Sequence, residues 1–176
     1  VAVLAPTGVA ALNVRGQTIH SFFRFGIDIT PQKIRKANGK RMSLFRNLDT
    51  LVIDEISMVR ADLLDCVDRA LRINRENPHA PFGGVQMIFV GDLYQLPPVV
   101  PEEEDEIFTG YYPGFYFFDA RVMRELDIPI IELAKIYRQK DEAFIGLLNA
   151  VRSGEITDAE LAKLNTRCHN EYASKN

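Results

Sequence analysis

The stretch Thr50-Leu-Val-Ile-Asp-Glu55 decides the fold, because an apolar run of strand length ends there in two acids. Such a run is typical of a buried parallel strand, whose carboxyl end faces the crevice where open α/β sheets bind ligands. Val85-Gln-Met-Ile-Phe-Val90 is a second apolar run of strand length, and Gly91-Asp92 ends it in the same way. We therefore expect an α/β fold in which two strand ends face one crevice.

The acids at the first strand end have the chemistry of a Walker B site. In such a site the first acid, here Asp54, holds Mg²⁺ beside nucleotide phosphates, and the second, Glu55, positions or deprotonates the attacking water. Gln95 follows the second strand and is able to orient that water or contact a γ-phosphate. The alternatives are a solvated acid pair at a strand end and an ordinary loop amide.

Four segments follow one another along the chain: Leu4 to Ala11 with Thr18 to Phe22, then Val52 to Met58, Gly91 to Pro98 and Leu133 to Gln139. In this order they resemble motifs Ia, II, III and IV of superfamily-one DNA helicases of the 5′-to-3′ PIF and RecD type. Each segment is weak by itself, but the four together form a specific signal. The resemblance implies an α/β RecA-like P-loop NTPase fold with three αβα layers and a mainly parallel sheet. It also implies an ATP-dependent helicase that couples hydrolysis to translocation on single-stranded DNA and to duplex unwinding.

The phosphate-binding loop of this family has no counterpart between Val1 and Asn176, since no G-x-x-x-x-G-K-[ST] occurs there. That loop supplies the amide cradle, the phosphate lysine and a hydroxyl for Mg²⁺. We therefore expect residues 1–176 to be a single RecA-like domain 1A fragment, incomplete at its amino end. Alone it should be inactive and bind ATP poorly. Its expected partners include the remainder of the parent helicase, with the phosphate loop and a second RecA-like domain.

The resemblance assigns roles to residues outside the acid pair. Arg138 in motif IV would be a γ-phosphate sensor beside Gln95, and the alternative is a surface arginine. In motif Ia, Thr7 with the Gly8 amide and His20 become contacts to single-stranded DNA. From the residues alone, Thr7 is equally an N-cap of the helix that follows, and His20 a half-buried histidine.

Residues 24–49 differ from the rest of the chain in charge. Six basic residues occur within fourteen positions and no acid separates them: Lys33, Arg35, Lys36, Lys40, Arg41 and Arg46. This pattern predicts a patch that binds phosphates without regard to base sequence. In the family, an insertion here forms the small subdomain 1B near the strand-separation point, which implies contact with duplex junctions. A solvated loop with a short basic helix is the alternative.

Composition limits the remaining possibilities. A net charge of −3 gives no global attraction to nucleic acid, so local charge must provide it. Cys66 and Cys168 lack metal-ligand spacing, which is typical of a reducing compartment. No apolar run approaches the length of a membrane span. We predict a cytoplasmic, intracellular location, associated with the nucleoid in a bacterial source, and no membrane partner.

The carboxyl-terminal third predicts a strand at residues 129–133 and an amphipathic helix from Asp141 to Val151. A capping box at Thr157-Asp-Ala-Glu160 should open a last helix. Two other functions remain open beside the helicase. One is a catalytically inactive RecA-like module that binds nucleic acid or protein partners, and the other is an unrelated Mg²⁺-dependent hydrolase. A phosphate-loop motif encoded directly upstream of Val1 in the parent gene would identify the motor.

Overall fold

The computed structural model describes residues 1–101, 104, 108–133, 135, 137 and 141–166. The chain divides into two compact units, Val1–Ile128 and Pro129–Asn176. The first contains the sheet, and the second contains two helices. The interpretation of residues 1–176 as a single domain 1A fragment stays a prediction.

Four short strands form the sheet of the first unit, and all of their pairings are parallel. They are β1 (Ala2–Ala5), β2 (Gln17–Thr18), β3 (Thr50–Ile53) and β4 (Gln86–Phe89), in the order β2-β1-β3-β4. Because parallel strands run in one direction, their carboxyl ends share one edge of the sheet. The predicted α/β fold with a parallel sheet is confirmed.

The structure gives the bounds of six α-helices among the described residues. The first unit has α1 (Gly8–Asn13), α2 (Ile19–Phe23), α3 (Gly39–Arg46) and α4 (Ala61–Asn74). The second has α5 (Glu142–Ser153) and α6 (Asp158–Asn165). Short 3₁₀ helices span Pro31–Lys33, Ile56–Met58, Pro81–Gly84, Phe117–Asp119 and Arg121–Glu125. None of the described helices has the length and hydrophobicity that a membrane crossing requires.

The core of the first unit joins β3 to the apolar face of α4. Leu51 and Ile53 of β3 and Leu64 and Leu71 of α4 belong to one cluster, and each is fully buried. The apolar positions of α4 recur with a helical period. Burying a side chain of this size stabilises the fold by about 1.5–3 kcal/mol. The core thus holds β3 and the acids that follow it in a fixed position.

Residues 24–49 pack into this core through their apolar side chains. Phe45 of α3 is 2% exposed and stacks on Phe23, with 5.4 Å between ring centroids and 10° between ring planes. Ile34 and Leu48 are also buried. The short basic helix of the alternative interpretation is present as α3, but it is not part of a solvated loop, since Phe45 packs in the core. The identity of the segment as a 1B-like insertion stays a prediction.

The second unit contains the predicted capping box. The Glu160 amide donates to Thr157 Oγ1 at 3.3 Å, and the Thr157 amide donates to Glu160 Oε2 at 2.9 Å. The amphipathic helix predicted from Asp141 is confirmed as α5, with the Asp141 side chain as its N-cap. The strand predicted at residues 129–133 was wrong, since the structure has no regular element there. An apolar run forms a strand only where a neighbouring backbone pairs with it.

Cys66 lies in α4 and is fully buried. Burial raises the pKa of its thiol to about 12, and the nearby carboxylates of Asp62 and Asp65 act in the same direction. Because the thiolate is the reactive form, we expect Cys66 to resist iodoacetamide at mildly alkaline pH and to react fully in urea. Peptide mass spectrometry distinguishes Cys66 from Cys168. Equal labelling of Cys66 in folded and unfolded protein would contradict its buried position.

Candidate functional site

The acid pair lies where β3 leaves the sheet, between the ends of its two neighbours. The Asp54 amide donates to the Leu4 carbonyl of β1 at 2.8 Å. On the other side, the Ile56 amide donates to the Val90 carbonyl, directly after β4, at 2.9 Å. Asp54 and Glu55 are both partly exposed. The backbone therefore fixes the two acids at the carboxyl edge of the sheet, where the sequence places them.

Glu55 has a left-handed backbone conformation, with φ 51° and ψ 44°. A residue with a Cβ atom is uncommon there, and such conformations occur preferentially at functional sites. Glu55 leads into the 3₁₀ helix Ile56–Met58, and the Met58 amide donates to its carbonyl at 3.1 Å. Side chains alternate between the faces of a sheet only while the strand continues. At Asp54 that alternation ends, so the turn sets the position of the second acid independently.

Gly91 brings the end of β4 directly against this turn. A Cβ atom on Gly91 would lie 2.9 Å from Ile56 Cγ2 and 3.1 Å from the Ile56 amide nitrogen. Such distances are closer than ordinary van der Waals contact. A side chain therefore does not fit without moving the segment that follows Glu55. The two strand ends are in contact, as expected from the sequence.

Asp92 organises the loop that presents Gln95. The Tyr94 amide donates to Asp92 Oδ1 at 3.0 Å, and the Gln95 amide donates to the Asp92 carbonyl at 3.0 Å. The Gln95 side chain also donates from Nε2 to Asp92 Oδ2 at 3.2 Å, although the residue is exposed. From its position in the sequence, Asp92 is predicted only to end the strand. An aspartate two residues before a turn amide is the local signal that predicts such a loop.

Thr7 and Gly8 begin α1 at the same edge of the sheet, just past β1. Thr7 is the N-cap, because its Oγ1 accepts a hydrogen bond from the Ala10 amide at 3.2 Å. Gly8 is exposed, and a Cβ atom there would contact nothing within 4 Å. The first amides of a helix lack partners within the helix and attract anions. The N-cap interpretation of Thr7 is confirmed, and its contact with a DNA phosphate stays a prediction.

His20 lies in α2, which begins at the capping residue Thr18. Its ring is half-buried and meets the edge of Phe25, with 6.4 Å between centroids. Burial lowers the pKa of His20, although the Asp62 carboxylate acts in the opposite direction. The imidazole is therefore neutral at physiological pH. A contact from His20 to DNA would be a hydrogen bond and not an ion pair.

The basic residues between positions 33 and 41 are mostly engaged within the chain. Lys33 pairs with Asp28, Lys36 pairs with Glu76, and Arg35 and Arg41 donate to the Gln32 and Phe22 carbonyls. Lys40 is exposed and has no partner among the described residues. Exposed ion pairs contribute little stability. Replacing the carboxylate partner of such a basic side chain by a DNA phosphate would therefore cost little stability.

Arg138 lies outside the described residues. Its predicted role as a γ-phosphate sensor stays a prediction. The other predicted site residues fall into three groups. Asp54, Glu55 and Gln95 follow β3 and β4, Thr7, Gly8 and His20 lie after β1 and in α2, and the basic residues belong to the segment before β3. The structure brings the ends of β3 and β4 into contact, and it leaves the basic residues on a separate set of elements.

The family model described as "PIF1-like helicase" matches residues 1–162. The chain belongs to this family. The resemblance to superfamily-one helicases is thereby confirmed.

ATP-dependent DNA helicase PIF1 of Saccharomyces cerevisiae is 42% identical over 164 residues, which are 90% of this chain and 18% of that protein. Human PIF1 is 39% identical over 157 residues, 88% of this chain and 23% of that protein. The chain thus spans about a fifth of the length of these PIF1-like relatives.

Solved structures of PIF1-like helicases share the fold. Pif1 from Bacteroides in complex with ADP-AlF3 and single-stranded DNA has a TM-score of 0.89 and 42% identity, covering 99% of this chain and 42% of that one. A second structure, of two coordinating Pif1 helicases that unwind forked duplex DNA, has a TM-score of 0.88 and 45% sequence identity. It covers 97% of this chain and 43% of the other. These matches confirm a RecA-like fold for the PIF1-like chain described above.

Proposed function

We propose that this chain is part of an ATP-dependent DNA helicase that couples ATP hydrolysis to translocation on single-stranded DNA and to duplex unwinding. The observation that supports it most is the contact between two strand ends in a PIF1-like chain. One strand end presents Asp54 and Glu55, and the other presents the loop of Gln95. A hydrolase that acts on a γ-phosphate needs a metal-binding acid and a group that orients water at one place.

The carboxyl edge of the sheet has side chains suited to Mg²⁺ and ATP as cofactors. Mg²⁺ prefers oxygen ligands and is held by one or two carboxylates together with waters and substrate phosphates. Asp54 is a partly exposed carboxylate beside β1 and β4, so it would hold the ion. A bound Mg²⁺ would neutralise charge that develops on the phosphates. Glu55 would accept the proton of the attacking water, Gln95 would orient that water, and Arg138 would contact the γ-phosphate.

Single-stranded DNA is the proposed polymer substrate, with duplex junctions as the place of unwinding. Thr7 and the Gly8 amide would hold a backbone phosphate at the amino end of α1, and neutral His20 would add a hydrogen bond. The basic residues Lys33, Arg35, Lys36, Lys40 and Arg41 would contribute charge near the strand. Contacts of this kind are directed to phosphates, so binding should not depend on base sequence. The remainder of the parent helicase would close the nucleotide site.

The Lys40 side chain offers a specific test of the charged segment. We expect the affinity of the full-length protein for single-stranded DNA to fall steeply with salt, because each neutralised phosphate releases counterions. Lys40→Gln should reduce the slope of log affinity against log salt by about 0.7, equally for all base sequences. Lys163→Gln, an exposed charge on α6, is the control and should leave the slope unchanged. A flat salt response of the unmodified protein would contradict this assignment.

Strand separation tests the proposed function itself. The full-length protein should unwind a duplex with a 5′ single-stranded tail when Mg-ATP is present, and should leave a 3′-tailed duplex intact. A non-hydrolysable ATP analogue should not replace ATP, because translocation requires turnover. DNA binding without strand separation would indicate the alternative, a catalytically inactive RecA-like module. Unwinding of the 3′-tailed duplex alone would contradict the proposed polarity.

A further inference from the structure

A cavity of about 210 Å³ lies among α2, α3, α4 and the residues that connect α2 to α3. Four of the residues that line it are basic: Arg24, Lys33, Arg35 and Arg41. None of its lining residues is acidic, although Asp28 pairs with Lys33 nearby. The cavity is built from other elements than the acid pair after β3. Such a concentration of positive charge contrasts with the net charge of −3 of the whole chain.

Arg41 has hydrogen-bonding capacity that the described residues do not use. One terminal nitrogen donates to the Phe22 carbonyl, and the guanidinium carbon lies 5.9 Å from the ring centroid of Phe45. Its Nε atom is buried and has no hydrogen-bond partner. Buried N–H groups are nearly always paired, because an unpaired donor has lost its hydration without compensation. Arg41 lines the cavity, so an acceptor that enters it would pair with this donor once the side chain turns toward it.

Arg24 adds a second guanidinium without a fixed partner. It directly follows α2 in a left-handed conformation, with φ 55° and ψ 43°. The residue is exposed, and its side chain has no hydrogen bond or ion pair among the described residues. Burial lowers the pKa of Arg41, and the neighbouring charge of Arg24 lowers it further. The two like charges therefore repel each other, and an anion between them would relieve that repulsion.

Lys33 and Arg35 complete the wall of the cavity from the 3₁₀ helix and the residues after it. Lys33 donates to the Asp28 carbonyl at 2.9 Å, and Arg35 donates to the Gln32 carbonyl at 2.7 Å. These bonds restrict both side chains while leaving them positively charged. A guanidinium presents several N–H donors in a plane and matches the oxygens of a phosphate group. The lining therefore suits a small anion with several acceptor oxygens.

We propose that the cavity lined by Arg24, Lys33, Arg35 and Arg41 binds a phosphate group, supplied by the backbone of a bound DNA strand. The proposal rests on the proposed function only in naming DNA as the source. Free phosphate offers the same chemistry and is the other source that an experiment must separate. Arg24 lies outside the run of basic residues that the sequence singles out. It contributes because the fold brings the end of α2 against α3.

Protection of arginine side chains from phenylglyoxal tests the site at single-residue resolution. The full-length protein is labelled with Mg-ADP present throughout, in three arms: without further ligand, with inorganic phosphate, and with an oligothymidylate. Peptide mass spectrometry compares Arg24 with Arg15, which is also exposed and follows a short helix with φ 52°. Labelling of Arg24 should fall several-fold with ligand, and that of Arg15 should not change.

The arms separate the two sources of the phosphate group. Protection by the oligothymidylate at concentrations where its equivalent of free phosphate gives none supports a DNA backbone phosphate. Protection by inorganic phosphate and none by the oligonucleotide supports the anion site and overturns DNA as its source. Equal labelling of Arg24 in all three arms overturns the site. A failure of ATP turnover would count against the proposed function alone, because labelling of Arg24 does not depend on turnover.

Arg24→Gln provides a second measurement that does not rely on chemical modification. The variant should bind the oligothymidylate more weakly. The slope of its log affinity against log salt should be smaller by about 0.7, the contribution of one phosphate contact on a single strand. Arg15→Gln is the matched control and should leave both quantities unchanged. Because Arg24 is exposed and unpaired, the substitution should not disturb folding. Identical affinity and slope in the two variants would overturn the DNA contact.

Discussion

Glu55→Gln in the full-length protein is expected to lower ATP turnover by roughly two or more orders of magnitude, the contribution typical of a general base. Glutamine keeps the shape of the side chain but is unable to accept the proton of the attacking water. The affinity for Mg-ATP should stay close to that of the unmodified protein, since Asp54 would hold the metal. Steady-state phosphate release gives the turnover, and titration with a fluorescent nucleotide gives the affinity.

Glu76→Gln is the matched control for this prediction. Glu76 is also a glutamate with a left-handed backbone, at φ 55°, and its exposed ion pairs with Lys36 and Arg46 contribute little stability. Its substitution should leave turnover unchanged. If Glu55→Gln turned over ATP at a near-normal rate, Glu55 would have no part in the mechanism. A parallel loss of nucleotide affinity would instead place Glu55 in binding.

Phe45→Ala is expected to reduce the free energy of unfolding of the 176-residue chain by about 3–5 kcal/mol, as for other large aromatic residues removed from a core. Phe45 is 2% exposed and contacts the rings of both Phe22 and Phe23. Its removal would leave a cavity where residues 24–49 are anchored to the first unit. A urea titration followed by circular dichroism measures the change.

Leu44→Ala, on the same helix, is the control for Phe45→Ala. It shows how much of the change in unfolding free energy comes from helix propensity and how much from the packing of α3 against the core. Leu44 is 47% exposed, so its truncation should change the unfolding free energy by no more than about 0.5 kcal/mol. Equal and small effects at both positions would show that α3 lies on the surface as part of a solvated loop. A large effect confined to Phe45 would support the packed arrangement.

The strands and helices that the sequence predicts are those whose formation depends on residues close together in the chain. Apolar runs of strand length predict β3 and β4, and the period of apolar residues predicts α5. Thr157 and Glu160 predict a helix start because both partners of the capping box lie within one turn. The two strand ends with Asp54 and Gln95 follow from the parallel direction of the strands. Apart from this shared edge, all of these predictions depend on residues that are neighbours in sequence.

The features that the sequence analysis missed depend on contacts between distant residues. Lys36 pairs with Glu76, forty positions away, so a count of charges overstates the number of available basic side chains. The cavity with Arg24 exists because α2 meets α3, which no local pattern indicates. The apolar residues 129–133 predict a strand by composition, but pairing decides whether a strand forms. The left-handed turn at Glu55 also has no signal in its residue type.

The rate of phosphate release from Mg-ATP, measured for the full-length protein as single-stranded DNA is added, tests the central claim most directly. A motor whose acid pair follows β3 should hydrolyse ATP slowly without DNA. Turnover should then rise to a plateau as the strand binds, and the rise should disappear when Mg²⁺ is chelated. DNA binding with no phosphate release at any DNA concentration would contradict the claim and leave a RecA-like module that binds without turnover.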